Sequence, residues 1–333
     1  MEYRRMGASG LKVSQLCLGC MSYGKGQFHS EWTLGLNEAL PFFSAALDAG
    51  VNFFDTADAY ANGDSEVVVG HVINNLVPRD SIVVATKFFG PTGTGPNDRG
   101  GSRKHIMQAV DASLRRLGTD YIDLYQMHRL DPDTPMEETL EALNDLVRQG
   151  KVRYLGASSM FAWQFAKALA MQERNGWAKF VSMQPQYNLV YREEEREMIP
   201  LCMDAGVGVI PWSPLARGFL AGNRKRDGMG KTSRAQSDKW AEIMYNSDDD
   251  FDVQERTAEV AAARGVPPSQ IALAWVGSRP GIIAPIVGTT KLSQLDDALA
   301  ALDIVLTDEE VQLLQAPYKP HPVIGIDHPG QKK

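Results

Sequence analysis

Apolar residues recur along this chain in short runs separated by longer stretches of helical spacing, and the alternation holds from residue 16 to residue 288. The runs are "LCLGC" at 16–20, "VNFFD" at 51–55, "IVVATK" at 82–87, "YIDLYQMH" at 121–128, "VRYLGAS" at 152–158, "FVSMQ" at 180–184, "VGVIPW" at 207–212 and "IIAPIVG" at 282–288. Between them lie amphipathic segments such as "LPFFSAALDAG", "RKHIMQAVDASLRRLG" and "MEETLEALNDLVRQG", several closing on a glycine that can end a helix. Thr134, with Pro135 next and Glu137 three residues on, predicts a capping box with proline in the first helical position. Ahead of the first run, "YRRMGASGLKVSQL" predicts a hairpin about a glycine-rich turn. Eight strand-and-helix units joined by short connections predict an α/β fold with a parallel sheet covered on both faces. A (β/α)8 barrel closes eight such units most economically, and a doubly wound open sheet is the alternative.

Two connections break the spacing. "FFGPTGTGPNDRGGS" after the third run is rich in Gly and Pro and reads as a surface loop. The second runs from about 217 to 250 and contains "AGNRKRDGMGKTSRAQSDKW" and the acidic "NSDDDFD"; it reads either as a lid over a site or as a tolerated insertion. No linker or low-complexity tract divides residues 1–333, so one barrel domain is expected.

Composition narrows the function. With 44% apolar and 23% charged residues, the chain can bury a large core. The formal net charge of -7, without long Lys/Arg runs, argues against a nucleic-acid or anionic-membrane surface, so small molecules are the expected partners. No span of about 18 apolar residues and no signal-peptide pattern occurs, which makes a cytoplasmic location the default expectation. Cys17, Cys20 and Cys202 cannot make a closed disulfide framework. Cys17 and Cys20 form a C-x-x-C, but no second ligand pair with metal spacing follows, and "LCLGCM" reads as a buried strand. No metal is expected.

In a barrel, functional residues gather at the C-terminal ends of the strands and in the loops that follow. Those positions hold Asp55 after the second run, Lys87 after the third, His128 after the fourth, Ser158 and Ser159 after the fifth, Gln184 after the sixth, and Trp212 and Ser213 after the seventh. A strand-end aspartate is often a helix cap, and a single histidine beyond an apolar run is often a core residue. Asp, Lys and His closing three successive strands are harder to assign to packing, because buried charge is costly unless paired. Tyr60 lies five residues beyond Asp55, in "FFDTADAYANGDSE", whose "NGDSE" reads as the turn and cap of the next helix. A phenol with a pKa of about 10 is a poor acid at neutral pH, and a neighbouring ammonium favours its phenolate. Lys87 is placed to act in this way, with Asp55 holding the lysine and His128 donating to or orienting the same substrate oxygen. Such a set can protonate a carbonyl oxygen while its carbon is attacked. Without an obvious nucleophile, a G-x-S-x-G elbow or metal spacing, the electron pair is expected from a cofactor, which means hydride transfer.

These residues, with "FFDTADAY", "VVATK", "YIDLYQMHRLDPDTPMEETLEAL", "GKVRYLGAS", "MQPQYNLVYREEERE", "VIPWSPLARGFLAG" and "IVGTTKLSQLDDAL", make the chain resemble the aldo-keto reductases nearly from end to end. The tail "PYKPHPVIGI" resembles a prokaryotic and fungal branch acting on sugars, aryl aldehydes or secondary metabolites. The resemblance implies a TIM barrel that binds NADPH, with NADH as the alternative, without a Rossmann fold. The nearest G-x-G, Gly24 and Gly26, has His29 where a third glycine would stand and lacks the βαβ context.

By resemblance, Asp55, Tyr60, Lys87 and His128 are the catalytic tetrad, with Tyr60 the acid in reduction and the base in oxidation. Ser158, Ser159 and Gln184 would hold the nicotinamide amide, and its ring would stack on Trp212. Ser213, Pro214, Leu215, Arg217 and Gly218 would follow the pyrophosphate, and the adenine end falls on Gly288, Thr289, Thr290, Lys291, Gln294 and Asp297. The sequence departs from the family pattern at Ser159, at Gln294 where arginine is common, and at Ala298 where asparagine is usual. The arginine's loss removes a bidentate phosphate partner; Lys291 with Thr289 and Thr290 can still form a 2'-phosphate site, which favours NADPH. Met21, Tyr23, Trp32, Phe88 and Arg129 are the candidates for substrate contact, the aromatics reading equally as core. Two other functions fit parts of the pattern: a Schiff-base aldolase using Lys87, and a nucleotide-sensing regulatory subunit on the same fold. Neither the substrate nor assembly as a homo-oligomer is legible.

Overall fold

The computed structural model describes residues 1–25, 31–226, 230, 238–323 and 326. Gly26 and His29 of the G-x-G segment, residues 227–229 and 231–237 of the long connection, and the end of the tail lie outside the described residues.

Strands β1 (Tyr3–Arg5) and β2 (Lys12–Ser14) pair antiparallel as the expected hairpin, with Tyr3 opposite Ser14. The eight apolar runs supply β3 (Cys17–Gly19), β4 (Phe53–Asp55), β5 (Val83–Phe88), β6 (Ile122–Met127), β7 (Val152–Ser158), β8 (Phe180–Gln184), β9 (Gly208–Val209) and β10 (Ile286–Val287). They form one parallel sheet in the order β10-β3-β4-β5-β6-β7-β8-β9. Its two ends meet just before β10. Val209 bridges Ile282 in parallel, the Val209 amide donates to Gly281 O at 3.1 Å, and the Ile283 amide donates to Val209 O at 2.8 Å. The sheet is therefore a closed (β/α)8 barrel rather than the open alternative.

Strand periodicity sorts the side chains. Cys17, Phe53, Val83, Ala85 and Leu124 pack inside the barrel, joined by Met6 and Val13 of the hairpin region. Their neighbours Leu18, Phe54, Val84 and Tyr125 pack outward with the helix-facing core. Continuing the inward parity toward the C-terminal ends gives Asp55 on β4, Lys87 on β5 and Gln126 on β6. The barrel thus carries an apolar floor and a polar rim. Room for the Gln126 side chain comes from Gly156, where a Cβ would lie 2.9 Å from Gln126 Cγ.

The helices follow the sequence signals with local exceptions. Helix Arg103–Leu117 starts at Ser102, whose hydroxyl accepts from the His105 amide, and stops at Gly118 in the left-handed region. Helix Met136–Arg148 begins after Pro135 without a side-chain cap. Thr134 donates its hydroxyl to Asp131 Oδ2 at 2.8 Å instead, so the expected capping box does not form. In "NGDSE" the turn is present, with Asn62 and Gly63 at positive φ, but helix Asp64–Asn75 has no side-chain cap either. Ser65 is drawn inward, sharing a hydrogen bond with Thr56 at 2.7 Å and donating to Cys20 O at 2.8 Å. The acidic "NSDDDFD" is not loop: Ser247 and Asp250 cap helix Asp248–Arg264 reciprocally, and Asp248 to Asp250 sit at its positively polarised end. Cys17 and Cys20 are buried free thiols, on opposite sides of the barrel wall. Among the described residues, no helix is long and apolar enough to cross a membrane.

Candidate active site

At the rim, the fully buried Lys87 ammonium makes three contacts that use all of its protons. It donates to Asp55 Oδ1 at 2.5 Å, to Thr56 O at 2.9 Å and to the Tyr60 hydroxyl at 3.3 Å. Burial disfavours the ammonium, but the Asp55 carboxylate and the Tyr60 hydroxyl together outweigh it and hold Lys87 above its ordinary value. The same ammonium lies 4.8 Å from the Tyr60 ring centroid. His128 meets Tyr60 edge-on, with ring centroids 5.9 Å apart. Burial, then the Lys87 and Arg129 cations, push His128 well below its ordinary value, so the imidazole is neutral near pH 7 and can donate a hydrogen bond from its one N–H without carrying charge.

The other Asp55 oxygen is held by two amides. Gln126 Nε2 donates to Oδ2 at 2.8 Å and Gln184 Nε2 at 3.0 Å, and Gln184 also reaches Gln126 Oε1 at 3.2 Å. The structure therefore brings Asp55, Tyr60, Lys87, His128 and Gln184 together and adds Gln126, which the sequence reading missed. Its neutral side chain sits within an apolar run, where no charge marks it. Gln126→Leu removes a charge-assisted bond to Asp55; we expect about 1.5–3 kcal/mol lower unfolding free energy in urea titration.

From this cluster a cleft of about 1880 Å³ runs past Trp212 and residues 213–218 to the start of helix Leu292–Ala300. Ser159, Ser213, Ala216 and Arg217 all have positive φ, an uncommon density of left-handed backbone at residues other than glycine. Ser159 uses it to reach Trp212: the indole Nε1 donates to Ser159 Oγ at 3.0 Å, fixing the ring at the cleft wall. Ser158 donates its hydroxyl to Gln184 O at 2.7 Å. Pro214, Leu215 and Gly218 line the next stretch. Arg217 also lines it, but its Nε donates to buried Asp238 at 2.7 Å, so the cation is already paired.

At the far end several of the candidate side chains have partners within the protein. Gln294 Oε1 accepts from the Thr290 amide at 2.9 Å and the Lys291 amide at 3.2 Å, which makes Gln294 the cap of its own helix. Thr289 is buried and shares a hydrogen bond with the Tyr23 hydroxyl at 3.2 Å. Asp297 accepts from Gln270 Nε2 at 2.9 Å and from Ser269 Oγ at 3.4 Å. Ala298 is fully buried. Gly288, Thr290 and Lys291 line the cleft with Thr289, Gln294 and Asp297.

On the side of His128 the cleft is lined by Met21, Trp32, Arg129, Met136, Met160 and Trp163. Tyr23 and Phe88, two of the candidate substrate contacts, belong to the core. Tyr23 packs 5.1 Å from Phe43, and Phe88 stacks at 5.2 Å on Tyr125, pointing outward because it alternates with Lys87.

The profile of the aldo/keto reductase family matches residues 15–319. Versiconal hemiacetal acetate reductase of Aspergillus parasiticus is 44% identical, covering 100% of both chains. An aldo-keto reductase of Alternaria alternata is 43% identical over 97% of this chain and 93% of its own. One of Fusarium vanettenii is 42% identical over 98% and 93%. With a barrel of eight strand-and-helix units and a match across nearly its whole length, the chain belongs to the aldo/keto reductase family of oxidoreductases.

Proposed function

We propose that this protein reduces an aldehyde or ketone to the alcohol with NADPH, and that Tyr60 delivers the proton. The observation that carries the reading is the phenol of Tyr60 at the wall of the cleft, 3.3 Å from an ammonium that Asp55 fixes from behind. As Tyr60 gives up its proton, negative charge grows on its oxygen, and Lys87 is already placed to stabilise it. The neutral His128 faces the same space and can donate to the substrate oxygen.

The cleft fits a dinucleotide on size and chemistry. Its 1880 Å³ exceeds the roughly 300–1000 Å³ of a single small-ligand pocket. The indole of Trp212 gives a flat apolar wall beside Ser158, Ser159 and Gln184, which can hold a carboxamide. Residues 213–218 and Lys291 would hold the phosphates. NADPH supplies the hydride when bound. Lys87 does not suit the aldolase alternative, since a Schiff base needs a neutral amine and every Lys87 proton is engaged.

The test is NADPH oxidation against a panel of aldoses, aryl aldehydes, methylglyoxal and keto sugars. Turnover of at least one carbonyl is expected; tight nucleotide binding without any turnover would favour the sensing role. A second test addresses the nucleotide. In Gln294→Arg the new guanidinium can meet a 2'-phosphate, so NADPH binding should tighten by about tenfold or more while NADH changes little. Fluorescence titration with both nucleotides measures this, and equal changes would place position 294 away from the phosphate.

A further inference from the structure

Behind Tyr60 lies a buried carboxyl group for which the proposed chemistry has no use. Asp58 is 2% exposed, and among the described residues no side chain donates a hydrogen bond to its oxygens; the amide of the next residue, Ala59, is the backbone group that bears on them. A carboxylate in that situation costs several kcal/mol unless it is paired. The charged groups around it are already paired with one another. From helix Asp64–Asn75, Glu66 accepts from Thr86 Oγ1 at 2.5 Å and binds Arg116, of helix Arg103–Leu117, with Nε and Nη2 both at 2.6 Å. From β5, Lys87 is paired with Asp55. Glu66 balances Arg116 and Asp55 balances Lys87, so neither cation forms an ion pair with Asp58. From β6, the Tyr125 hydroxyl is also buried without a partner, and Asp58 is the charged group that bears on it most.

Asp58 lies on the segment that links Asp55 to Tyr60. That segment continues the barrel wall along β5: the Thr56 amide donates to Ala85 O at 2.8 Å and the Asp58 amide to Lys87 O at 3.1 Å. Thr56 O then accepts from the Lys87 ammonium. A negative charge at Asp58 would meet the Glu66 carboxylate and compete with Asp55 for Lys87, the cation that contacts Tyr60.

We infer that Asp58 is a positioning residue for the proton donor: an uncharged carboxylic acid that keeps the 56–60 segment seated against β5, and that unseats Tyr60 from Lys87 when it ionises. Burial and the Glu66 carboxylate push this acid well above the ordinary carboxylate range, against the opposing pull of Arg116, the Ala59 amide and Lys87. The kinetic part of the inference rests on the proposed reductase activity; the protonation state does not.

The test compares Asp58→Asn, which keeps the shape and the absence of charge, with Asp58→Ala. In difference infrared spectra at neutral pH, the wild type should show a protonated-carboxyl band that Asp58→Asn lacks. Asp58→Asn should retain kcat within about threefold, while Asp58→Ala should lose about tenfold or more with little change in NADPH affinity. The alkaline fall in kcat should move to higher pH, or become less steep by one proton, in Asp58→Asn. Identical infrared spectra, equal loss of kcat in the two variants, or coincident alkaline limbs would each overturn the assignment. If the wild type turned over no carbonyl, the infrared comparison would still decide the protonation state, and the failure would belong to the proposed function.

Discussion

Tyr60→Phe is expected to lower kcat for carbonyl reduction by about 10²–10⁴-fold, the usual contribution of a positioned general acid. The ring still fills its place beside His128 and over Lys87, so only the hydroxyl is lost. Its bond to Lys87 is long at 3.3 Å, and the ammonium keeps Asp55 and Thr56 as closer partners. Stability should therefore change by less than about 1 kcal/mol. The cleft toward Trp212 and Lys291 is untouched, so NADPH affinity should stay near wild type. A loss confined to kcat at unchanged nucleotide affinity identifies an interaction made in the transition state. Measured together, steady-state kinetics and nucleotide titration decide the point: comparable turnover in the variant would remove Tyr60 from the role.

How much of this site the sequence disclosed depends on what each position had to advertise. Asp55 and Lys87 were visible because a charge at the end of an apolar run has few structural explanations, and inward parity on β4 and β5 then brings the two together. Gln126 carried no such signal, although its even spacing from Leu124 and His128 assigns it the same face. The same parity would have turned Phe88 outward into the core. The cofactor end was less legible. Gln294, Arg217 and Asp297 were assigned by likeness to contacts with a ligand, whereas each side chain already has a local partner: two backbone amides, Asp238, and the pair Gln270 and Ser269. Competition of this kind is decided by side-chain geometry, which spacing does not encode. The polar "NSDDDFD" read as loop for a related reason, since a helix start rich in Ser and Asp has the composition of a turn until its reciprocal cap is seen.

Lys87→Met should combine a catalytic and a structural loss that can be separated. Removing the ammonium leaves the Asp55 carboxylate buried with only amide donors, and breaking a buried pair in this way costs about 3–5 kcal/mol. The sign of the wild-type pH dependence follows from the raised Lys87 value. Its contribution is fully present below the unfolded lysine value of about 10.4 and is lost as pH rises through the folded value. The variant should therefore be less stable than wild type throughout the neutral range, and the difference should narrow only in strongly alkaline solution. Adding Asp55→Asn removes the uncompensated charge while keeping an amide oxygen to accept from Gln126 or Gln184, so the double variant should regain much of the stability. It should not regain activity, because nothing then stabilises the charge that grows on the Tyr60 oxygen. We expect both variants to fall by at least about 10²-fold in kcat, with stability read from urea titration. Recovery of activity together with stability in the double variant would show that Lys87 is needed for folding and not for proton transfer. Failure of either property to change in Lys87→Met would contradict the geometry at the rim of the barrel.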